Sequence, residues 1–433
     1  MIGRLLSDLS GRVSAADAVA TADDTISVSC DADGATVAAA ESHQVQVRVV
    51  DRGRVGWAGG EGAFAAEVVA GALRSAEVGA TGSLYLPAPS PLSPVVTRSP
   101  ATGALGPRDL VGQARDLEAR LRRRGWLVEA FAERSVGVVA IGNTRGVTAE
   151  YPTTLLGLGA TVSTPDGRLS FRAHQSQVAP MGDAEIDALV REFEDVLAPA
   201  PVAAGSLPRR IRVWFAPRSV RAILGPLLSQ LTGETWLAGR TRWPALDERV
   251  SVVDDPLLPG RPGSRPIDDD GVPARRLTLI DRGRATAGVL DVATGSRHLL
   301  PPTGHGWRRG PTPPRIGFSN VLMEQGTASD TELAVAAEDG LLVRDLRIGP
   351  APNPETGVFR MAAPWTYLLA KGEIVGRVED VVLSGNVFEL LGPGRLVAVG
   401  VGARWIGAAA GGRRRGSHPP LGVSRRAATT KWS

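Results

Sequence analysis

Five histidines, His43, His174, His298, His305 and His418, are the first residues to test for chemistry. A helical zinc site needs two imidazoles about one turn apart, so that both reach one ion from the same face. No two of these histidines lie three to five residues apart, and none is followed by Glu. His298 and His305 flank a Pro-rich loop. The reading for each is a surface or loop histidine. Cys30 is the single cysteine, which excludes an intramolecular disulfide and a Cys-rich zinc centre. It lies in a Val/Ser-rich, strand-like stretch and reads as a small core residue rather than a nucleophile. There is no G-x-S-x-G elbow and no P-loop, and the glycines of 397–407 do not complete a dinucleotide fingerprint.

Carboxylates remain: Asp254-Asp255, then Asp268-Asp269-Asp270 before Gly271. Asp-rich turns can hold a hard cation, but this spacing is not a calcium loop, and neighbouring side chains on a turn diverge. The plainer reading is turn-forming Asp bonded to local amides before a glycine. A metal-independent catalyst built on this loop is the other.

The elements that must position these residues follow from periodicity. Residues 41–58 alternate around a basic-Gly turn, as in a hairpin. Helical spacing occupies 61–78 and 108–124, the second with Leu110, Ala114, Leu117 and Leu121 on one side. Residues 135–149 and 158–172 read as strands, and the acidic start of 183–197 begins a helix. Pro199, Pro201, Gly205 and Pro208 then interrupt regular structure, so 198–210 is the expected boundary between domains 1–200 and 201–433. Beyond it, 211–215, 249–253, 275–280, 341–348, 373–385 and 395–401 are strand-like, with helices expected at 217–231 and 329–339. The segments 256–274 and 301–316 read as long loops, which are usually functional or disordered. The expected fold class is α+β: a mixed α/β N-terminal domain, then a β-rich domain with a large curved or barrel-like antiparallel sheet.

Composition limits the function classes. At 433 residues, with 43% hydrophobic and 22% charged residues, the chain reads as an ordinary globular protein of two or three domains. No apolar run is long enough for a membrane helix, and Asp8 and Asp17 break the N-terminal stretch that a secretory signal would need. Cytoplasm is the expected compartment. The net charge of +4 is almost all arginine, since lysine occurs only at Lys371 and Lys431. Arg413–Arg415, Arg425 and Arg426 form a basic tail within about 410–433, read as solvated rather than as a nucleic-acid arm.

The stretch 251–297, SVVDDPLLPGRPGSRPIDDDGVPARRLTLIDRGRATAGVLDVATGSR, resembles the signature region of the TldD/PmbA family, with Asp270 where the family commonly has Glu. Further resemblances follow in order: TGHGWRRGPTPPRIGFSN (303–320), MEQG (323–326), DGLLVRDLR (339–347), NPETGVFR (353–360) and KGEIVGRVEDVVLSGNVFELL (371–391). In the first half, VRVVDRGRVGWAGGEG (47–62) and GNTRG (142–146) resemble the family's hairpin and its N-S-x-G turn. The resemblance implies a metallopeptidase-related fold and two kinds of subunit. TldD-like subunits carry H-E-x-x-x-H on the first helix of the C-terminal domain and a downstream Cys. The equivalent stretch here, 216–236, has neither His nor Cys. The chain therefore resembles the TldE (PmbA) subunit, which implies no metal bound by this chain, zinc in a TldD-like partner, and a heterodimer around a peptide-cutting chamber. Asp269, Asp270, Gly271, Asn320, Gly357 and Asn386 are the candidate chamber or turn residues. The region 238–250 departs from the family pattern, and Trp is frequent, at nine residues. That divergence points toward processing of peptides or peptide conjugates in natural-product biosynthesis. The competing reading is a stand-alone binding protein that kept the fold and lost the activity.

Overall fold

The structure is a computed structural model describing residues 2–62, 65–123, 125–202, 211–239, 243–308, 314–324, 326–348, 356–401 and 428–429. The arginines of the basic tail, His418 and residues 203–210 lie outside the described residues.

A six-stranded antiparallel sheet dominates the first half. Its strands are β1 (Ala15–Cys30), β2 (Ala35–Asp51), β3 (Arg54–Glu61), β4 (Leu127–Asn143), β5 (Thr148–Ser163) and β6 (Ser170–Gln177), in the order β3-β2-β1-β4-β5-β6. Alternation over part of each strand packs one face of this sheet, while residues 16–20 of β1 and 139–143 of β4 are buried on both faces. Val28, Cys30, Ala130, Ala132, Leu156, Leu158 and Ala160 bury one face against the helices Pro107–Leu121 and Asp183–Leu197. The helices Ile2–Leu9 and Ala65–Glu77 cover the β1–β3 end through Val45, Val47 and Val49. Cys30 is a core residue, as expected.

The 41–58 hairpin forms as read. Its turn has positive φ at both Arg52 (47°) and Gly53 (74°), which matches the right-handed twist of the flanking strands. The strand-like stretch 135–149 breaks at GNTRG, where the family resemblance implied a turn, so that β4 ends at Asn143 and β5 begins at Thr148. Asn143 Oδ1 accepts from the amides of Arg145 (2.9 Å) and Val147 (3.2 Å), and Gly146 takes a φ of 96°, so the chain reverses.

In the second half β7 (Val213–Phe215), β8 (Val252–Asp254), β9 (Leu277–Asp281), β10 (Arg284–Ala285), β11 (Gly306–Trp307), β12 (Arg315–Ile316) and β13 (Val321–Met323) are short. The longer β14 (Leu341–Ile348), β15 (Val358–Ala370), β16 (Glu373–Val378) and β17 (Val381–Asn386) form the centre of a second six-stranded sheet with β7 and β18 (Ala428–Thr429). It is mostly antiparallel; β7 on β14 and β18 on β17 are parallel. β8, β9, β10 and β13 make a separate four-stranded sheet. The α+β class holds. The expected strand 373–385 breaks at Asp380, whose φ is 56°. Residues 395–401 form no ladder, only an isolated bridge from Gly400 to Ala328. β15, the central strand, was not among the expected strands.

The expected helices form at Pro217–Gln230 and Asp330–Ala337. The first packs on β14 and buries Ala222, Ile223, Leu224, Leu227 and Leu228 in a core shared with β8 and β9. One core cluster crosses residue 200: Phe171, Phe193 and Leu189 pack with Trp365, Tyr367 and Leu369. Tyr367 OH donates to the Val196 carbonyl at 2.6 Å.

Candidate functional site

The uncovered face of the first sheet is not bare throughout. Near its base, Val19, Val139, Ile141 and Val147 pack with Ile267, the residue before the three aspartates. This contact sets the Asp turn against β1 and β4. Asp268, Asp269 and Asp270 are 0%, 2% and 5% exposed, so the expectation of splayed turn carboxylates is corrected. The local amide bonding itself is present. Asp268 Oδ1 accepts from Asp270 N (3.0 Å) and Val272 N (2.8 Å), and its Oδ2 accepts from Gly306 N at 2.8 Å. Asp269 Oδ2 accepts from Arg308 N at 2.8 Å. Gly271 has a φ of 88° and lies against Pro87, Val147 and Asn143, a position that combines the left-handed region with close packing.

Asp270 reaches across to the first half. Arg48 Nη2 donates to its Oδ1 at 3.0 Å, and Arg48 Nε donates to Asp17 Oδ1 at 3.0 Å. Arg308 Nη2 lies 2.8 Å from Asp17 Oδ1. Asp17 and Arg308 are both buried. A chain of alternating charge, Asp270–Arg48–Asp17–Arg308, thus joins β1 and β2 to the loops of the second half. Burial alone would raise the Asp17 carboxyl, but the Arg308 and Arg48 guanidinium groups outweigh it and hold it below its ordinary value. Burial raises Asp268 to about 7, helped by the neighbouring Asp270 charge. Asp270 is also raised, by burial, with Arg48 and Arg308 opposing.

A second buried pair stands beside this cluster. His305 Nε2 is 2.8 Å from Asp254 Oδ2, and both side chains are fully buried. The ring's Nδ1 faces the Thr303 carbonyl at 2.9 Å, and Asp254 also accepts from Ser319 N at 2.9 Å. His305 lies in a loop, as one half of its reading had it, but the surface alternative is corrected: the TGHGW loop, with no net hydrophobic period, hides a core imidazole. His43 and His174 are exposed strand residues. His298 pairs at the surface with Glu234, 2.7 Å away, and does not converge with His305 on a ligand. Arg265, also buried, donates to the carbonyls of Gly306 (3.2 Å) and Gly304 (3.1 Å) and stacks on Trp307 with its guanidinium carbon 3.6 Å from the ring centroid.

The remaining predicted residues lie elsewhere. Asn320 clamps the 255–264 loop: its Nδ2 donates to the Asp255 carbonyl (2.9 Å) and its Oδ1 accepts from Gly263 N (3.0 Å). Gly357 and Asn386 meet each other. Asn386 Oδ1 caps the short helix Val387–Leu390 by accepting from Phe388 N at 2.9 Å, and its Nδ2 donates to the Thr356 carbonyl at 2.7 Å. Gly357, at φ 70°, packs under Phe388, where a Cβ would collide.

The sequence reading missed Asp17, Arg48 and Arg308. The signal available was a charge inside an apolar alternation, AADAVA and VQVRVV, which a purely solvated strand face does not require. The helix Pro217–Gln230 offers apolar side chains where a zinc ligand would stand, so its residues do not fit that metal. Among the described residues, no group of three or more His, Cys, Asp or Glu is placed to hold a metal ion.

Residues 208–423 match the family model of the PmbA/TldA metallopeptidase C-terminal domain. A metalloprotease from Archaeoglobus fulgidus is 34% identical over 161 residues, 37% of each chain. One from Methanothermobacter thermautotrophicus is 31% identical over 161 residues, covering 37% of this chain and 35% of its own. These alignments span little more than a third of the relatives' length. The solved structure of TldE from Thermococcus kodakarensis superposes with a TM-score of 0.79 over 90% of this chain and 92% of that one, at 19% identity, which establishes likeness of fold.

Proposed function

The chain belongs to the TldD/PmbA family, and from that premise we propose that it is the zinc-free subunit of a two-subunit metallopeptidase. The observation that carries this reading is the helix Pro217–Gln230. Where the catalytic kind of subunit would present two imidazoles and a glutamate, this helix presents Ala222, Ile223, Leu224, Leu227 and Leu228 to the core. A ligand there would replace packed apolar surface with an unpartnered polar group, at a cost of about 1–3 kcal/mol for each. His305 is no substitute, because both of its ring nitrogens already face protein oxygens.

In this reading the partner supplies the zinc and the cleaving water. This chain closes the chamber and shapes what enters it, with Asp269, Asp270, Gly271, Asn320, Gly357 and Asn386 holding the loops that line it. The substrate is a peptide or peptide conjugate. The departure of 238–250 from the family pattern is what points to a specialised one such as a natural-product precursor.

The test is co-expression with a neighbouring gene encoding H-E-x-x-x-H. The expected product is a stable heterodimer with peptidase activity that neither chain has alone. Peptide cleavage by this chain unaided, in the presence of chelator, would refute the proposal. Persistence as a monomer beside every such partner would favour a stand-alone binding protein.

A further inference from the structure

The sheet of the first half ends in a long bare arm. β3 pairs with β2 only over Gln44–Asp51, so among the described residues Ala35–His43 pair with β1 alone. Gly62 N donates to the His43 carbonyl from the β3 side at 2.7 Å, while Ser14 N donates to the Val50 carbonyl from the β1 side at 2.9 Å. This parity turns the N–H and C=O of Ala35, Val37, Ala39 and Glu41 to the open edge, with the even residues bonded to β1. All seven residues Ala35–Glu41 are exposed, so none of the described helices covers either face. Their sequence is ATVAAAE, without the Lys or Pro that commonly protects an edge.

Charge distinguishes the arm from the rest of the chain. From Val13 to Val47 there are Asp17, Asp23, Asp24, Asp31, Asp33 and Glu41, but no Lys or Arg, in a protein of net charge +4. Asp17 is buried, and Arg134 answers Asp24 at 2.6 Å. Asp31 and Asp33 stand at the exposed turn, with Glu41 at the other end of the bare edge. A second copy pairing β2 to β2 would bring these acids against each other.

We propose that the edge Ala35–Glu41 is a docking site for an extended basic segment of a partner polypeptide, which adds as a strand beside β2, in line with β3. Main-chain bonds to Val37, Ala39 and Glu41 hold it. The acids at the two ends of the edge set its charge, and the small side chains of Ala38, Ala39 and Ala40 leave room for large residues on the incoming strand.

The test uses the purified full chain and a fluorescein-labelled nonapeptide of alternating Val and Arg, with fluorescence anisotropy at low and high salt. Three comparisons accompany it: the same peptide N-methylated at alternate residues, a Val/Glu nonapeptide, and the variants Ala39→Pro and Asp33→Arg/Glu41→Arg. Saturable binding of the Val/Arg peptide is expected, weakened about tenfold by N-methylation or by Ala39→Pro, as expected when edge hydrogen bonds are removed. Charge reversal weakens binding at low salt and has little effect at high salt. Equal binding by the N-methylated or the Val/Glu peptide, or no saturable binding, overturns the proposal. N-methylation decides the matter if Ala39→Pro does not fold. Either result is independent of whether a zinc-bearing partner exists, because only this chain is used.

Discussion

Replacing Asp17 with Asn removes the carboxylate that touches two guanidinium groups at once, Arg48 Nε at 3.0 Å and Arg308 Nη2 at 2.8 Å. With an effective dielectric of about 20, a pair at about 3 Å attracts by about 5 kcal/mol before desolvation. Desolvation of the buried ions offsets most of that, so the intact cluster contributes little net stability. Breaking it differs, because two cations stay buried with one partner fewer. The expected loss for Asp17→Asn is about 3–5 kcal/mol, toward the lower end because Asn keeps a carbonyl oxygen. Urea unfolding read by tryptophan fluorescence measures it, as a fall in midpoint at unchanged slope. The deficit depends on pH with a definite sign. Asp17 is held below its ordinary value, so its stabilisation is present above the unfolded carboxylate range and is lost as pH falls through the folded value. The gap between the native chain and Asp17→Asn must therefore be widest at neutral pH and close in acid. A double-mutant cycle with Arg308→Met should show coupling above about 1 kcal/mol. A deficit below about 1 kcal/mol at neutral pH, or one that does not change with pH, would refute the reasoning.

Other outcomes follow from the same geometry. Asp268, raised to about 7, favours folding when protonated; its contribution is present below the unfolded carboxylate range and is lost as pH rises through 7. Carboxyl 13C NMR should find its midpoint near neutrality, and Asp270→Asn should move it down; a midpoint in the ordinary Asp range would contradict this. Gly271→Ala places a Cβ at φ 88° between Pro87 and Val147, both 3.3 Å away, and should lower stability by about 1–3 kcal/mol in thermal unfolding. Asn386→Ala removes the cap of Val387–Leu390 and should cost about 1 kcal/mol, with amide exchange speeding up locally at Phe388 and Glu389. Metal analysis of the purified chain should find no stoichiometric zinc, and a full equivalent would contradict the reading of the Pro217–Gln230 helix.

What was legible in the sequence depended on period and on distance along the chain. The helices at 107–121, 183–197 and 217–230 carry apolar faces that one turn of sequence reveals, and each formed within three residues of its expected bounds. Periodicity alone runs 135–149 together, because GNTRG breaks the chain through an Asn143 side-chain bond and a left-handed Gly146 rather than through loss of β-forming residues; only the family resemblance marked that turn. β15 was missed because VFRMAAPWTYLLA contains Pro364 and a mixed pattern, yet it lies between β14 and β17, where packing overrides propensity. The Asp turn was found, but its burial was not. Arg48 and Asp270 are separated by 222 positions, and no local pattern records that one will meet the other.

The placement of charge explains how a chain can keep a family's turns without its zinc ligands. Asp268 fixes the turn by accepting three backbone amides; Asp269 fixes the chain at Arg308. Asp270 then ties that turn to Arg48 on β2, and Arg308 ties the neighbouring loop to Asp17 on β1. None of these contacts involves the helix Pro217–Gln230, whose buried side chains serve the second core instead. Apolar residues in that helix can therefore stand where ligands would, without disturbing the junction between the halves. Conversely, a change at Asp17 or Arg48 should shift stability of the whole chain while leaving the second core's packing intact. On this arrangement, the loops that resemble the family's signature owe their geometry to the first sheet as much as to the half of the chain in which they lie.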